Sequence, residues 1–481
     1  MSEKHAGATI SARAFSQSVF ILLALMLAAG ILTRVLPAGS FTRAEEAGRQ
    51  VIVPGSYQIV PRPDYAPWRW LTAPLEVLGG PDALVLITIA VFILLVGGAF
   101  AVLDDSGILQ AALTRIVRAF GARKYALLWV LTFFFMAMGA FFGLFEEVVP
   151  LVPLMIALSY SLGWDLLVGL GMSILATNMG FSAAISNPFS IGVAQKLAGL
   201  PLFSGALFRL PFFLIVYVLV AVFLTRYARR IEREPQRSLV YGEDQEQRTR
   251  FGMGDFSGGA PVRRGAVLWF GVGVGLIVLA LVLGPFVPGL SDYSLPLVGV
   301  LFFAAGLGAG MLSGRAPRRV WAALGQGMLG LAPGIPLILM AGSVKHIITQ
   351  GGVMDTILNA AAQALQGATP LSAALLVYAL ALVIEIFIGS AGAKAVLLMP
   401  LLLPLADLVG VTRQVAVTAY CFGDGFSNLA YPTNPVLLIV LGLANLRYSR
   451  WIRWTAPLWA VVLPVTLVFL WLAVVLNLGP F

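Results

Sequence analysis

Charge is scarce in this 481-residue chain: Asp, Glu, Lys and Arg make up 11% of it, against 59% hydrophobic residues. Soluble domains run at about one quarter charged, so a water-soluble globular protein is excluded. Cysteine is scarcer still. Cys421 stands alone, and no disulfide can form within the chain. His5 and His346 are the two histidines, too few to build a histidine metal site and a poor start for a catalytic triad. An intramembrane hydrolase would need an activated nucleophile, and His346 lies in a different segment from the serine-rich stretches considered below. There is no Walker-type phosphate loop, which removes ATP-driven pumping. The glycine run "GLGAG" at 306–310 lacks the flanking strand of a dinucleotide site and reads as close helix packing. No cofactor is expected.

What the chain has is apolar length. Runs long enough to span a bilayer recur from end to end, as in an all-α polytopic membrane protein. The net charge of +9 does not indicate nucleic-acid binding, because the basic residues sit between the apolar runs as topogenic signals. The N-terminal run "VFILLALMLAAGILTRVL" is long for a signal peptide and carries Arg34 where cleavage residues belong, so it reads as an uncleaved first span, 19–36. An outer segment of mixed charge, 37–80, and span 82–103 follow. Residues 125–161 are apolar but interrupted at Glu146-Glu147, and predict a re-entrant hairpin. Segment 164–200 and span 205–226 complete a first unit, residues 1–225. The stretch 226–264, with nine arginines and no lysine, reads as a cytoplasmic linker. Span 265–286 then inverts a second unit, 287–481, with spans 294–313 and 324–345, a hairpin at 371–409, a segment at 412–446 and a last span at 455–478. Each strongly basic loop then falls in the cytoplasm, with the N-terminus inside and the C-terminus outside.

Segments 164–200 and 412–446 exceed one straight crossing at about 1.5 Å per residue. Each is interrupted midway, by "NMGFSAAISNP" and "GDGFSNLAYPTNP". The two halves also match in register: "PLMIALSYSLG" (153–163) and "PLLLPLADLVG" (400–410) each place a glycine ten residues after the proline. That register sets Glu147 opposite Lys394 and Gly143 opposite Ser390. The pattern predicts two inverted-topology repeats, each with a re-entrant hairpin and a broken helix, whose substrate site lies where the breaks meet. Unwound backbone and helix ends suit a substrate carboxylate or a cation. A channel would need a ring of like elements, whereas paired breaks favour one enclosed site.

"VLPAGSF" after the first span, "FGLFEE", "GFSAAISNPF", "MPLLLPLADLVGVTRQV" and "FGDGFSNLAYPT" together resemble the YfcC-type branch of the DcuC-like anaerobic C4-dicarboxylate carriers, within the wider ion-transporter superfamily. The resemblance runs over nearly the whole chain. It implies a homodimeric elevator carrier in a bacterial inner membrane, with a scaffold that dimerises and a transport domain of hairpins and broken helices. Such carriers take dicarboxylates or exchange basic amino acids. One residue departs from the pattern: Lys394 follows "GSAGA" where a polar uncharged residue is expected.

The candidate substrate-binding residues are therefore Glu146, Glu147, Asn187, Ser390, Lys394, Thr433 and Asn434. Oxygens for a coupling sodium ion, or a path for a proton, are sought at Asn178, Gly180, Ser182, Ser186, Asp424, Gly425, Ser427 and Asn428. Intramembrane carboxylates are functional candidates by default. Lys394 either pairs with Glu147 across the repeat or receives a substrate carboxylate, and Asp424 either caps the unwound segment or binds an ion. Glu385 is a lone intramembrane acid. Lys345 and His346 fall near a span end, where snorkelling accounts for them. The acidic excess around Lys394 points to an amino-acid-like substrate, basic ones included, with a C4-dicarboxylate as the alternative.

Overall fold

The computed structural model describes residues 12–46, 49–120, 123–242, 244, 262–283 and 293–479. The first half runs through α1 (Ala12–Val35), α2 (Arg69–Glu76), α3 (Ala83–Asp105), α4 (Ile108–Phe120), α5 (Lys124–Ala137), α6 (Val152–Ser161), α7 (Leu166–Leu170), α8 (Ala176–Ala183), α9 (Val193–Leu197) and α10 (Ala206–Arg233). The second continues with α11 (Arg264–Leu283), α12 (Ser294–Leu312), α13 (Pro317–Leu331), α14 (Gly334–Gln350), α15 (Met354–Leu365), α16 (Pro370–Ile384), α17 (Ala391–Leu408), α18 (Arg413–Ser427), α19 (Pro435–Leu443) and α20 (Tyr448–Val475). Among the described residues nine helical stretches are long and apolar enough to cross a membrane. This is a multi-pass membrane protein.

The polar segments hold more structure than their composition suggests. Between α1 and α2 two antiparallel ladders form, Gly39–Ser40 with Gln58–Ile59 and Arg43–Glu46 with Arg49–Ile52. They dock on α15, where Asp355 accepts from the Phe41 backbone amide at 2.9 Å and pairs with Arg43 at 2.8 Å. The arginine-rich stretch begins as helix, since α10 runs on to Arg233; residues 243 and 245–261 of it lie outside the described residues. Lys345 and His346, near the end of α14, each meet an acid. Lys345 pairs with Asp82 at 2.7 Å, and His346 Nε2 lies 3.5 Å from Glu76.

Both long polar-interrupted segments are broken helices, and each restarts by the same local device. The first runs through α7, a wide π turn and α8, then stops where Ala184 adopts a left-handed φ of 45°. It restarts at Asn187-Pro188, with Asn187 Oδ1 accepting from the amides of Phe189 (2.9 Å) and Ser190 (3.2 Å). The second stops after Ser427 and restarts at Asn434-Pro435, where Asn434 Oδ1 accepts from Val436 N at 2.9 Å. Asparagine is among the best N-caps, and proline at the first helical position loses no hydrogen bond. "Asn-Pro" is thus a restart signal.

The stop of each break leaves carbonyls that in a membrane interior must find donors. Fully buried Arg209 of α10 serves the first: its Nε donates to Ala184 O (2.9 Å), and its two terminal nitrogens to Ile185 O (3.0 Å) and Ser204 O (2.9 Å). At the second break α20 supplies neutral donors instead. Trp451 Nε1 donates to Leu429 O at 2.9 Å and the Tyr448 hydroxyl to Ala430 O at 2.6 Å.

The broken helices lie innermost. The most apolar window of 166–197 is wholly buried, and so is α18 from Gln414 to Ser427, whereas one third of the corresponding window of α20 is buried. Backbones touch here. A methyl on Gly180 would lie 1.8 Å from Met136 O of α5, and one on Gly139 would lie 2.1 Å from Thr177 O. A second group of helices, α3, α11, α12 and α13, is seamed by small residues. Gly327 sits against Gly97 O, Gly306 against Ala99 and Gly273 against Ala305.

Three outcomes are expected from thermal unfolding in detergent, followed by fluorescence-detected size exclusion. Gly180→Ala should abolish the monodisperse peak. Gly325→Ala, where a methyl meets nothing within 4 Å, should match or exceed the parent, since alanine is the better helix former by about 1 kcal/mol. Arg209→Met should destabilise by several kcal/mol, because each buried carbonyl left without a donor costs about 1–3 kcal/mol. Parental stability of Arg209→Met would show that other donors take its place.

Candidate functional site

The second hairpin closes around a buried charge cluster. α16 ends at Ile384, Glu385 follows, and the chain turns through Gly389 and Ser390 into α17, whose first turn carries Lys394. Ser390 caps that helix by accepting from Ala393 N. Gly389, Ser390 and Ala393 are exposed, but Lys394 has no exposed side-chain surface. Its ammonium is bonded to Glu385 Oε2 and lies 2.7 Å from Asp424 Oδ1 on α18; both acids are equally buried. The Tyr420 hydroxyl, one helical turn before Asp424, bonds to Ala391 O and ties the hairpin tip to α18. Asp424 Oδ2 makes no hydrogen bond among the described residues.

Donors gather at the first break. Asn187 spends its oxygen on the cap, and its buried Nδ2 has no partner among the described residues. Gly143, with φ 70° just after the stretch that continues α5, packs on this side chain so closely that any Cβ would lie 2.1 Å from Asn187 Oδ1. Ser186 is held on the end of that stretch, its amide bonded to Ala140 O (3.1 Å) and its hydroxyl to Phe141 O (3.1 Å). The breaks also meet each other. A methyl on Gly425 of α18 would lie 2.4 Å from Ser182 Cα, and one on Gly392 of the second tip would lie 3.6 Å from Phe189 O.

The remaining candidates divide. Asn178 is fully buried, and neither its Oδ1 nor its Nδ2 finds a partner among the described residues. Ser182 and Ser427 bond back onto their own helices, to Asn178 O and to Gly423 O and Asp424 O. Gly180 O accepts from the Ala184 amide, which closes the end of α8. Asn428 Oδ1 accepts from Asn434 Nδ2 at 3.1 Å, so these two asparagines lock the second break internally. Thr433 lies half-buried in that break with its hydroxyl unpartnered among the described residues. Glu146 is half-buried. Glu147 is buried and accepts from the Phe145 amide at 3.1 Å, in a turn that packs against α19.

The pairing of Lys394 with Glu147 expected from register is not what forms. Lys394 bonds Glu385 and Asp424, on its own hairpin and the neighbouring broken helix. Glu385, read as lone, is a principal member of the cluster. Its spacing of nine from Lys394 matches no helical period, because a tip intervenes. Arg209 was missed as well, although a lone arginine in "ALFRLPFFLIVYVLV" signals an intramembrane charge with a buried partner. Gln195 and Gln414 went unnoticed too; Gln195 Nε2 donates to Gln414 Oε1 at 3.1 Å, beside Ser204 and Arg209.

Comparison with known proteins places this geometry in a family. A putative basic amino acid antiporter, YfcC of Escherichia coli, is 29% identical over 92% of this chain and 93% of its own length. An uncharacterized protein of Haemophilus influenzae is 27% identical over 77% of this chain and 72% of its own. Among solved structures, the Alcanivorax borkumensis YdaH transporter is 21% identical, with 97% of this chain and 99% of that one covered and a TM-score of 0.42. The Neisseria gonorrhoeae antimetabolite efflux pump MtrF is 18% identical, covers 95% and 94%, and has a TM-score of 0.43. The family model for the C4-dicarboxylate anaerobic carriers, DcuC, matches residues 15–475. The chain is a membrane transporter and belongs to the DcuC family of C4-dicarboxylate anaerobic carriers, as a YfcC-type member.

Proposed function

We propose that the chain is a secondary active carrier of an amino-acid-like substrate, basic amino acids included, working by ion-coupled symport or exchange. The observation that carries this reading is the buried ammonium of Lys394 held between Glu385 and Asp424. At full ionisation two carboxylates face one cation. An uncompensated charge in a low-dielectric interior is costly, so the cluster suits a second cation, either a substrate ammonium or guanidinium or a sodium ion or proton. The unpartnered Asp424 Oδ2 is a place for it, and the orphaned oxygen and amide of Asn178 mark another polar position in the buried helix. At the first break, the free Asn187 Nδ2 and the restarting helix N-terminus suit a carboxylate. One molecule with a carboxylate at one end and a cation at the other matches both. The similarity to the putative basic amino acid antiporter YfcC points the same way.

In this reading the two halves are inverted repeats, and the glycine-seamed group of α3, α11, α12 and α13 is the scaffold of a homodimer. The hairpins and broken helices are the moving unit of an elevator, in a bacterial inner membrane with the N-terminus cytoplasmic and the C-terminus outside. The second reading, a C4-dicarboxylate carrier, is favoured by the family description. It requires Lys394 to leave its two carboxylates and bind the substrate, with cations entering to balance Glu385 and Asp424.

A thermal-shift experiment on purified protein separates the readings, since a ligand at one hundred times its Kd stabilises by about 2.7 kcal/mol. Arginine or lysine should raise Tm; their decarboxylated analogues and succinate should not. Asp424→Asn should remove the arginine shift. A succinate shift without an arginine shift would hand the site to dicarboxylates.

Charge removal tests the cluster itself. Lys394→Gln should lose about 3–5 kcal/mol, the usual consequence of stranding buried partners. The double variant Lys394→Gln/Asp424→Asn should recover most of it, and Lys394→Gln/Glu147→Gln should not. Rescue by the Glu147 change alone would restore the pairing expected from register.

A further inference from the structure

α10 and α20 cross the apolar region side by side, and at one end they part to form a groove of about 510 Å³. Its mouth is lined by Arg226, Arg230, Arg237 and Arg453, and its depth by apolar side chains that include Leu219, Phe223, Trp454 and Val461. Arg237 is paired with Glu234 at 2.5 Å. Arg226, Arg230 and Arg453 have no ion pair among the described residues, and all three are exposed. The far wall is fixed by Arg450, which donates to Leu239 O at 2.9 Å. On the other flank of α10 lies a second groove of about 450 Å³, walled by Tyr125, Trp129 and Val222 and topped by Arg229 and Arg226. Arg226 and Val222 thus border both grooves.

The position along the helix matters. Beyond Arg209, α10 is apolar as far as Val222-Phe223-Leu224 and turns basic at Arg226, with Trp129, Trp454 and Tyr227 beside the same two grooves. Aromatic residues at an apolar-to-basic transition mark the membrane–water boundary. At that level three guanidinium groups without an ion pair among the described residues sit beside two apolar channels.

From this juxtaposition of three exposed arginines with two apolar grooves we propose a specific site for an anionic glycerophospholipid astride α10. Its phosphate is held by Arg226, Arg230 and Arg453, and its two acyl chains lie one in each groove. Guanidinium groups match phosphate oxygens in geometry as well as charge. A free phosphate ion would use the arginines but leave the grooves empty. A second copy docked about a twofold axis here would set arginine against arginine, since such an interface is self-complementary. A two-chain anionic lipid satisfies both halves of the site.

The test uses the full chain, delipidated in detergent and then given lipid, with retained lipid counted by native mass spectrometry. Dioleoyl-phosphatidylglycerol should remain bound under conditions that strip dioleoyl-phosphatidylcholine, and inorganic phosphate should not displace it. Each of Arg226→Gln, Arg230→Gln and Arg453→Gln should weaken retention about fivefold, the usual contribution of one basic residue at an anionic surface. Arg233→Gln, on the same helix but outside both grooves, should leave it unchanged. Equal retention of the two lipids, displacement by phosphate alone, or indifference to the three arginine changes would each overturn the proposal. So would efficient bismaleimide cross-linking between copies carrying Arg230→Cys, which would give the groove to a second subunit.

Discussion

The absence of water around a broken helix is the constraint from which the rest of this structure follows. A helix interrupted inside an apolar interior exposes carbonyls at its stop and amides at its restart, and each must be satisfied by protein. At the restarts the solution is local and identical: an asparagine cap followed by proline, at 187–188 and 434–435. At the stops it is long-range and different. A guanidinium from α10 holds the first set of carbonyls, and an indole and a phenol from α20 hold the second. Both donors come from the long helix that follows the break. Each break is therefore braced by the helix after it, and an opening or tilt of that helix would be felt at the site.

The second constraint is charge. Arg209, Lys394, Glu385 and Asp424 are all buried in the apolar body. Arg209 is spent on backbone carbonyls, which accept from it without supplying a full negative charge. Lys394 is shared by two acids. The positive charge near the first break and the negative excess beside the second are thus unequal in kind: one has neutral partners and the other is under-neutralised. Replacing the cluster by apolar residues of similar volume would relieve the burial cost. Its place between a hairpin tip and the helix that ends in the second break is what the proposed role in transport rests on.

How far the sequence alone reaches is clear from particular residues. The polytopic class and the position of both breaks were legible, because apolar length and Asn-Pro act over a few residues. The site's wiring was not. Register set Lys394 against Glu147, but register aligns chain positions and is silent on which neighbour a side chain meets after the tip folds back. Glu385 lies nine residues before Lys394 and Asp424 thirty after it, so no window reading joins them. The small strands before α2 escaped for a similar reason: their pairs span few residues, and their docking rests on Asp355, more than three hundred residues away. Asn187 and Asn434 were read as substrate-binding residues; the structure engages their oxygens as caps, and of the two amide nitrogens that of Asn187 has no partner among the described residues.

That remainder gives the site a direction. A cap engages the acceptor of an asparagine and leaves its donor; at the first break the donor has no partner among the described residues, while at the second it bonds Asn428. The same local motif therefore ends as a donor in one half and as a closed pair in the other. The acids Glu385 and Asp424 then make the second side an acceptor of positive charge. Two like-signed ends on one substrate would satisfy one side and offend the other, unless coupling ions entered to reverse the balance. A zwitterion or a basic amino acid needs no such reversal. In the proposed reading the substrate's polarity follows from how two copies of one short motif are completed by other residues, Arg209 and Gly143 for the first and Asn428 and Lys394 for the second.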